Sequence, residues 1–386
     1  MVTPSSAAAR LATRLSFLVA GFGIASWAPL VPFAKTRLAI DDGAMGLLLL
    51  CLGLGSVLTM SATGALSARL GSRPIIVLGG LGVALFLPLL AVAGSPITLG
   101  AALFFFGAAL GSLDVAMNIH AVDVERDSER PLMSGFHALF SIGGFAGATS
   151  MTVMLSAGLS PLAGVLANAV LMLAAMALVA PRLVRAKGGQ QGPMFAVPRG
   201  VVLLLSLLAA ATFLAEGAML DWSALLITKA GLVAVEQGGL GYILFSIAMT
   251  AGRLVGDKVV ARLGDRAVLR WGGLLAVAGF VVLLASPVAG VALSSFILIG
   301  LGASNIVPVL FRLAGAQTAM PSAQAISALS TIGYAGILVG PAGIGGIAKT
   351  TGLHGAFWLL ACLFALTPLL AGRLTAPARG QVAPQT

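Results

Sequence analysis

Residues 68–94 read ARLGSRPIIVLGGLGVALFLPLLAVAG. From Ile75 to Gly94 this stretch carries no charge over about 20 residues, the length an α-helix needs to cross a hydrocarbon core. It lacks the alternation of a barrel strand, which spans a membrane in about 10 residues. The whole chain agrees with that local reading. Hydrophobic residues make up 59% of its 386 residues and charged ones 9%, against about 25% charged in a soluble domain. So few charges cannot cover a water-facing surface, and in lipid only helices and closed barrels satisfy their backbone groups. An all-α membrane protein follows.

Reading outward from residues 68–94, apolar runs between polar breaks predict twelve transmembrane helices, roughly at 14–34, 43–66, 74–93, 97–119, 133–156 and 160–181, then 201–227, 238–256, 267–285, 288–311, 323–347 and 354–373. The first, basic and then apolar from Arg10 to Phe33, is too long for a signal-peptide core and is expected to be retained. With the N-terminus inside, alternation puts all but four of the 22 Lys and Arg on one side, the exceptions being Lys35, Arg37, Lys229 and Lys349. That bias predicts a multi-pass protein of the bacterial cytoplasmic (inner) membrane with both termini cytoplasmic. It also accounts for the net charge of +10 without a nucleic-acid partner. Cys51 and Cys362 fall inside apolar spans as small hydrophobes.

The opening hexapeptide recurs. ARLGSR at 68–73 returns as ARLGDR at 261–266, 193 residues later in a chain of 386. Ser26-Trp27-Ala28 is echoed by Asp221-Trp222-Ser223, Gly111-Ser112-Leu113-Asp114 by Gly302-Ala303-Ser304-Asn305, and Ala138-Leu139 with Ile142-Gly143 by Ala328-Leu329 with Ile332-Gly333. Echoes in one order at one spacing predict two six-helix repeats, 1–181 and 201–386, joined by a Gly-, Gln- and Pro-containing linker at 182–200. Six helices per repeat give both halves the same orientation, related by an axis along the membrane normal.

The spans, the central basic loop and the two hexapeptides together resemble the major facilitator superfamily. DVAMN at 114–118, SGFHALFSIGG at 134–144 and EGAMLDWSALL at 216–226 are similar to its bacterial, fucose-permease-like branch. The resemblance implies the major facilitator fold and alternating access. It also implies gating roles for Arg69, Gly71 and Arg73 after span 2 and for Asp257, Arg262, Gly264 and Arg266 after span 8. The family's loop acid is replaced by Ala68 and Ala261, although Gly256-Asp257-Lys258 stands one turn earlier. A Gly-Pro stretch typical of antiporters falls in span 11 instead of span 5, which disfavours drug-proton exchange.

Most acidic residues lie in loops or at helix ends, but Asp114, Glu216 and Asp221 fall inside apolar spans. Each opposes insertion by about 2.5 to 3.5 kcal/mol when central, so such residues face a cavity or a partner. Asp114 shares one helix face with Gly107, Gly111 and Asn118, a pattern that suits either close helix packing or a protonatable cavity site. His137, at a similar depth on the next span, makes a candidate proton relay with Asp114, or else a structural hydrogen bond. Glu216 has no basic residue predicted near it in the central membrane, which suits proton coupling or a neutral structural carboxyl. Asp221 and Trp222, with the repeat partner Trp27, offer aromatic walls and a carboxylate to a polar solute, or belong to an interfacial belt. The resemblance, which implies that spans 1, 4, 7 and 10 line the pathway, sets Asn305 opposite Asp114.

These residues predict a secondary transporter of a small polar organic solute, sugar-like or an organic acid, as a proton-coupled symporter. Its expected partners are the solute, protons and the lipid bilayer, and it is expected to act as a monomer. Each charge crossing about 100 mV supplies about 2.3 kcal/mol. The alternatives are an exporter of amphiphilic drugs or metabolites and a non-transporting receptor. No nucleophile-base set, metal-ligand cluster or phosphate loop marks an enzyme or calls for a cofactor.

Overall fold

The computed structural model describes residues 3–185, 197–234 and 237–375. Most of the expected linker, 186–196, lies outside them, as does Glu236. The described residues form helices α1 (Ala7–Trp27), α2 (Val31–Leu38), α3 (Asp42–Leu70), α4 (Ser72–Val92), α5 (Pro96–Ser128), α6 (Met133–Ser156) and α7 (Pro161–Val179), then α8 (Val201–Lys229), α9 (Leu240–Ala285), α10 (Ala289–Ala303), α11 (Ile306–Ala316) and α12 (Ser322–Leu374). Among the described residues, 11 helices are long and apolar enough to cross a membrane.

Capping explains several starts. Asp41, Ser95 and Ser160 accept the backbone N–H of Ala44, Thr98 and Ala163, and prolines at 96 and 161 open α5 and α7. Helix α4 shows why the composition is so apolar. Ile76, Gly80, Val83 and Leu87 point inward, while Leu78, Leu81, Leu85 and Leu89 are exposed on the opposite face. A soluble helix would be polar there; this one is apolar on both faces because its outer side meets lipid.

The hexapeptides are the same turn twice. Gly71 has φ 80 and ψ 161 between α3 and α4, and Gly264 has φ 78 and ψ 162 within α9. Side-chain-bearing residues essentially never adopt this region, so glycine decides where the chain reverses. At 46 residues, α9 would be about 69 Å long if straight, twice a hydrocarbon core, and Gly264 divides it. Gly352, at φ 74 and ψ 168, breaks the 53-residue α12 in the same way. The polar loop expected around 257–266 is therefore helical up to the glycine and again after it.

In the first half of the chain α1 packs on α6, and α5 on α3 and α4; in the second, α9 packs on α10 and α12 on α8. The halves meet where α3 contacts α12 and α6 contacts α9, with α11 reaching α5 and α6.

Candidate functional site

Between the halves, deep in the spans, lies an ion pair of a buried arginine and a half-buried glutamate. Glu216 on α8 stands 3.5 Å from Arg253 Nη2 on α9. Arg253 Nη1 donates to Ser141 Oγ of α6 at 3.0 Å, and its Nε to the Ser304 carbonyl at 3.2 Å. One guanidinium thus ties both halves together, with only 8% of its side chain exposed. This corrects the sequence reading, which counted Arg253 with the basic side and found no cation near Glu216. Arg253 precedes the Gly264 turn by three helical turns, roughly 16 Å along the axis, and so lies inside the span.

His137 is wedged between Phe17, edge-on at 5.1 Å, and Phe311, at 5.6 Å between ring centres. Arg253 is within electrostatic reach of it. Asp114 looks elsewhere, toward Ser330 and Tyr334 of α12, and Asn118 Nδ2 bonds back to the Asp114 carbonyl at 2.9 Å. The expected Asp114–His137 relay is therefore not a bonded pair: the carboxyl turns to α12 and the imidazole to the Arg253 cluster. Gly107 and Gly111 on the Asp114 face press against the α3 backbone at Leu52 and Ser56, so close packing claims that part of the face.

The Asn305 amide nitrogen is bonded within the second half of the chain. The residue sits at the break between α10 and α11, where its Nδ2 donates to the Gly252 carbonyl at 3.1 Å and to Ser304 Oγ at 2.9 Å. Its Nδ2 is spent holding the break in the helix to α9, while its Oδ1 has no protein partner. Trp27 is buried, Trp222 is half-buried against Gly345, and Asp221 is exposed near Tyr242, which also feels Glu216 and Arg253. Among the described residues, the buried polar atoms without a protein partner include Trp27 Nε1, Asn118 Oδ1, His137 Nε2, Trp222 Nε1 and Asn305 Oδ1. Leaving a buried polar atom unpaired costs about 1 to 3 kcal/mol, so such atoms collect where a solute or water completes their bonds.

A second cluster closes the end of the molecule that carries both hexapeptide turns. Asp257 of α9 accepts the backbone N–H of Ser134 at 2.9 Å and of Gly135 at 3.0 Å. A carboxylate from the second half thereby caps the N-terminus of α6 in the first, where the helix dipole favours negative charge. Arg312 of α11 bonds Glu125 of α5 and, at 2.5 Å, Asp265 of α9. Glu125 also takes the N–H of Leu132 and Met133, and Arg126 donates to the Gly315 carbonyl at 2.9 Å. The hexapeptide arginines stay on their own sides. Arg73 Nε bonds the Ala180 carbonyl, Arg266 lies against Gly372, and neither they nor Arg69 and Arg262 bond the other half among the described residues.

Sequence reasoning missed Arg253, Glu125 and Arg312. The signal was present, because an arginine in an apolar run such as VPVLFRLAG at 307–315 carries the same insertion cost that singled out the acids. His120 is buried, with Thr13 Oγ1 on one ring nitrogen and the Val184 N–H on the other.

A sequence model of the Major Facilitator Superfamily matches residues 15–255. A Yersinia pestis protein described as an uncharacterized MFS-type transporter is 48% identical over 355 residues, covering 92% of each chain. The membrane protein MosC of Rhizobium meliloti is 32% identical over 348 residues, which is 89% of this chain and 84% of MosC. Among solved structures, the transporter FucP in the outward conformation superposes with a TM-score of 0.78 at 17% identity, over 97% of this chain and all of FucP.

Proposed function

The chain belongs to the major facilitator superfamily of membrane transporters, and from that premise we propose that it carries a small polar organic solute across the bacterial cytoplasmic membrane in symport with protons. In this reading two six-helix bundles, 1–181 and 201–386, joined by a linker at 182–200, rock about a site between them. The hexapeptide end is cytoplasmic, with both termini on that side, and the working unit is a monomer. Dividing α9 at Gly264 brings the membrane-crossing helices to the family's twelve.

The observation that carries the reading is the Arg253–Glu216 pair, held between the halves near His137, whose Nε2 has no protein partner. A pump that alternates a proton and a solute needs a titratable group that both halves can sense. Glu216 meets that need through Arg253, which bonds Ser141 of the opposite half. Asp114 and His137 are assigned supporting proton-coupling roles, and Trp27, Asn118, Asp221, Trp222 and Asn305 line the path. The polar contacts joining the halves at the hexapeptide end support a state closed to the cytoplasm, in keeping with the fold likeness to FucP in its outward conformation.

The test is transport in proteoliposomes. Glu216→Gln and Asp114→Asn are expected to abolish proton-driven accumulation while leaving solute counterflow intact. Normal accumulation in both variants would remove proton coupling through these residues.

A further inference from the structure

We infer that Arg253 is the docking point for the carboxylate of a small organic acid, which replaces Glu216 beside the guanidinium when Glu216 takes up a proton. The inference rests on the transport reading above and narrows its solute to a monocarboxylate.

The charges in the cluster force the choice. Among the described residues, the groups around Arg253 and Glu216 are few: Asp221, five residues beyond Glu216 on α8, Tyr242 on α9 and His137 on α6, with Ser141 and Ser304 as neutral bonding partners and Phe17 and Phe311 as apolar walls. Arg253 and Glu216 are the only opposite charges in contact there among the described residues. Their contact, at 3.5 Å, is long beside the roughly 2.7 to 2.9 Å of a well-made charge-assisted bond. Two of the guanidinium's nitrogens are anchored to Ser304 and Ser141, which fixes the fork in place. Nη2 is held only by that long contact. Glu216 is the more open partner, with 22% of its side chain exposed against 8% for Arg253, so it is the partner that can be exchanged.

The exchange balances. In the unloaded state the guanidinium and the Glu216 carboxylate cancel. In the loaded state one proton is bonded to a Glu216 oxygen, the incoming carboxylate takes its place at Nη2, and the site is again neutral. No covalent bond to the solute forms or breaks. Either event alone leaves a buried charge uncompensated: a protonated Glu216 strands the guanidinium, and a bound carboxylate without the proton sets two anions on one cation. Proton and solute therefore enter together, and carrying one of each moves no net charge. A neutral sugar offers nothing to cancel the guanidinium and would bind without this linkage. His137 Nε2, buried without a protein partner next to Arg253, is placed to make the second bond to the acid.

The test uses the purified full-length protein and matched probes, glucuronate against glucose and lactate against glycerol, with binding followed by calorimetry. The acid of a pair is expected to bind at least about tenfold tighter than its neutral partner, and to gain about tenfold for each unit by which pH falls, one proton being taken up per acid bound. In Glu216→Gln that pH dependence should vanish while binding persists. In Arg253→Gln the acid's advantage should disappear, and Arg253→Lys, which keeps the charge but loses the fork, should lie between. If Arg253→Gln does not fold, the pH profile of Glu216→Gln decides alone. Neutral probes binding as well as acids, acid binding undiminished in Arg253→Gln, a pH slope that survives in Glu216→Gln, or no binding by either acid each overturn the inference.

In proteoliposomes, glucuronate uptake should follow an imposed pH gradient and ignore an imposed potential; uptake driven by potential would refute the electroneutral exchange. Failure of the broader reading looks different. Proton-driven accumulation that survives in both Glu216→Gln and Asp114→Asn removes coupling through these residues, whereas coupled accumulation of neutral solutes removes only the carboxylate.

Discussion

Two seams join the halves of this protein at the hexapeptide end, and they use different physics. Gly64 on α3 and Asp257 on α9 stand 193 residues apart, the spacing of the two hexapeptides. At Gly64 the helices touch: an added Cβ would come within 2.5 Å of the Ser327 Cβ, and Ser327 Oγ donates to the Met60 carbonyl at 2.6 Å. At Asp257 a carboxylate reaches across to cap α6, reinforced nearby by Glu125, Arg312 and Asp265. Packing acts over a few tenths of an ångström and is made or lost at once. Charge acts over longer distances, weakens gradually as groups separate and responds to proton and salt. A transporter closed on one side by contact and on the other by charge has one seam set by shape and another that its surroundings can tune.

The largest expected effect is on the charged seam. Arg312→Gln leaves Glu125 and Asp265 without their shared cation, a loss of about 3 to 5 kcal/mol for a broken buried pair. It should lower the thermal unfolding midpoint and separate α5 from α11 in spin-label distances. An unchanged midpoint would mean that the cluster contributes little. On the packed seam, Gly64→Leu forces a side chain into helix contact at about 1 to 3 kcal/mol. It should abolish uptake and hold α3 away from α12, whereas a seam that closes normally would show that packing does not control it.

The shared turn gives an internal control. Gly71→Ala and Gly264→Ala each impose a backbone region hostile to alanine, about 1 to 3 kcal/mol, and the two losses of thermal stability should match because the angles match. Unequal losses would show that the two halves of the chain differ in more than their seams. The smallest effect is expected of Asp257→Asn, which keeps the shape but removes the charge at the α6 N-terminus, about 0.3 to 1 kcal/mol. Faster amide hydrogen exchange at Ser134 and Gly135 would register it, and wild-type rates would show that the cap works as a neutral hydrogen bond.

Much of this was legible in the sequence. Apolar runs gave the helices, and the glycine of each hexapeptide gave the turn, because both are local properties: length against a hydrocarbon core, and a backbone angle open only to glycine. Glu216 and His137 were marked as buried polar residues worth explaining, and both lie in the Arg253 cluster. Their partners were not legible. Arg253 was read at the cytoplasmic end of its span, 238–256, because the charged Asp257, Lys258 and Arg262 follow it, and nothing local says that the helix continues three turns beyond it. Asp114 and His137 sit at similar depths on adjacent helices, which suggested a pair, but the rotation of each helix about its axis sends one to α12 and the other to α9.

The sequence by itself therefore determined the membrane class and the positions of the turns, since insertion cost and glycine's conformational freedom act residue by residue. Only the tertiary structure decided which acid meets which base. A helix about 30 Å long presents every direction around its axis, and the partner of Arg253 is chosen by how α6, α8 and α9 are rotated and packed, a relation among residues as distant in the chain as Ser141 and Ser304.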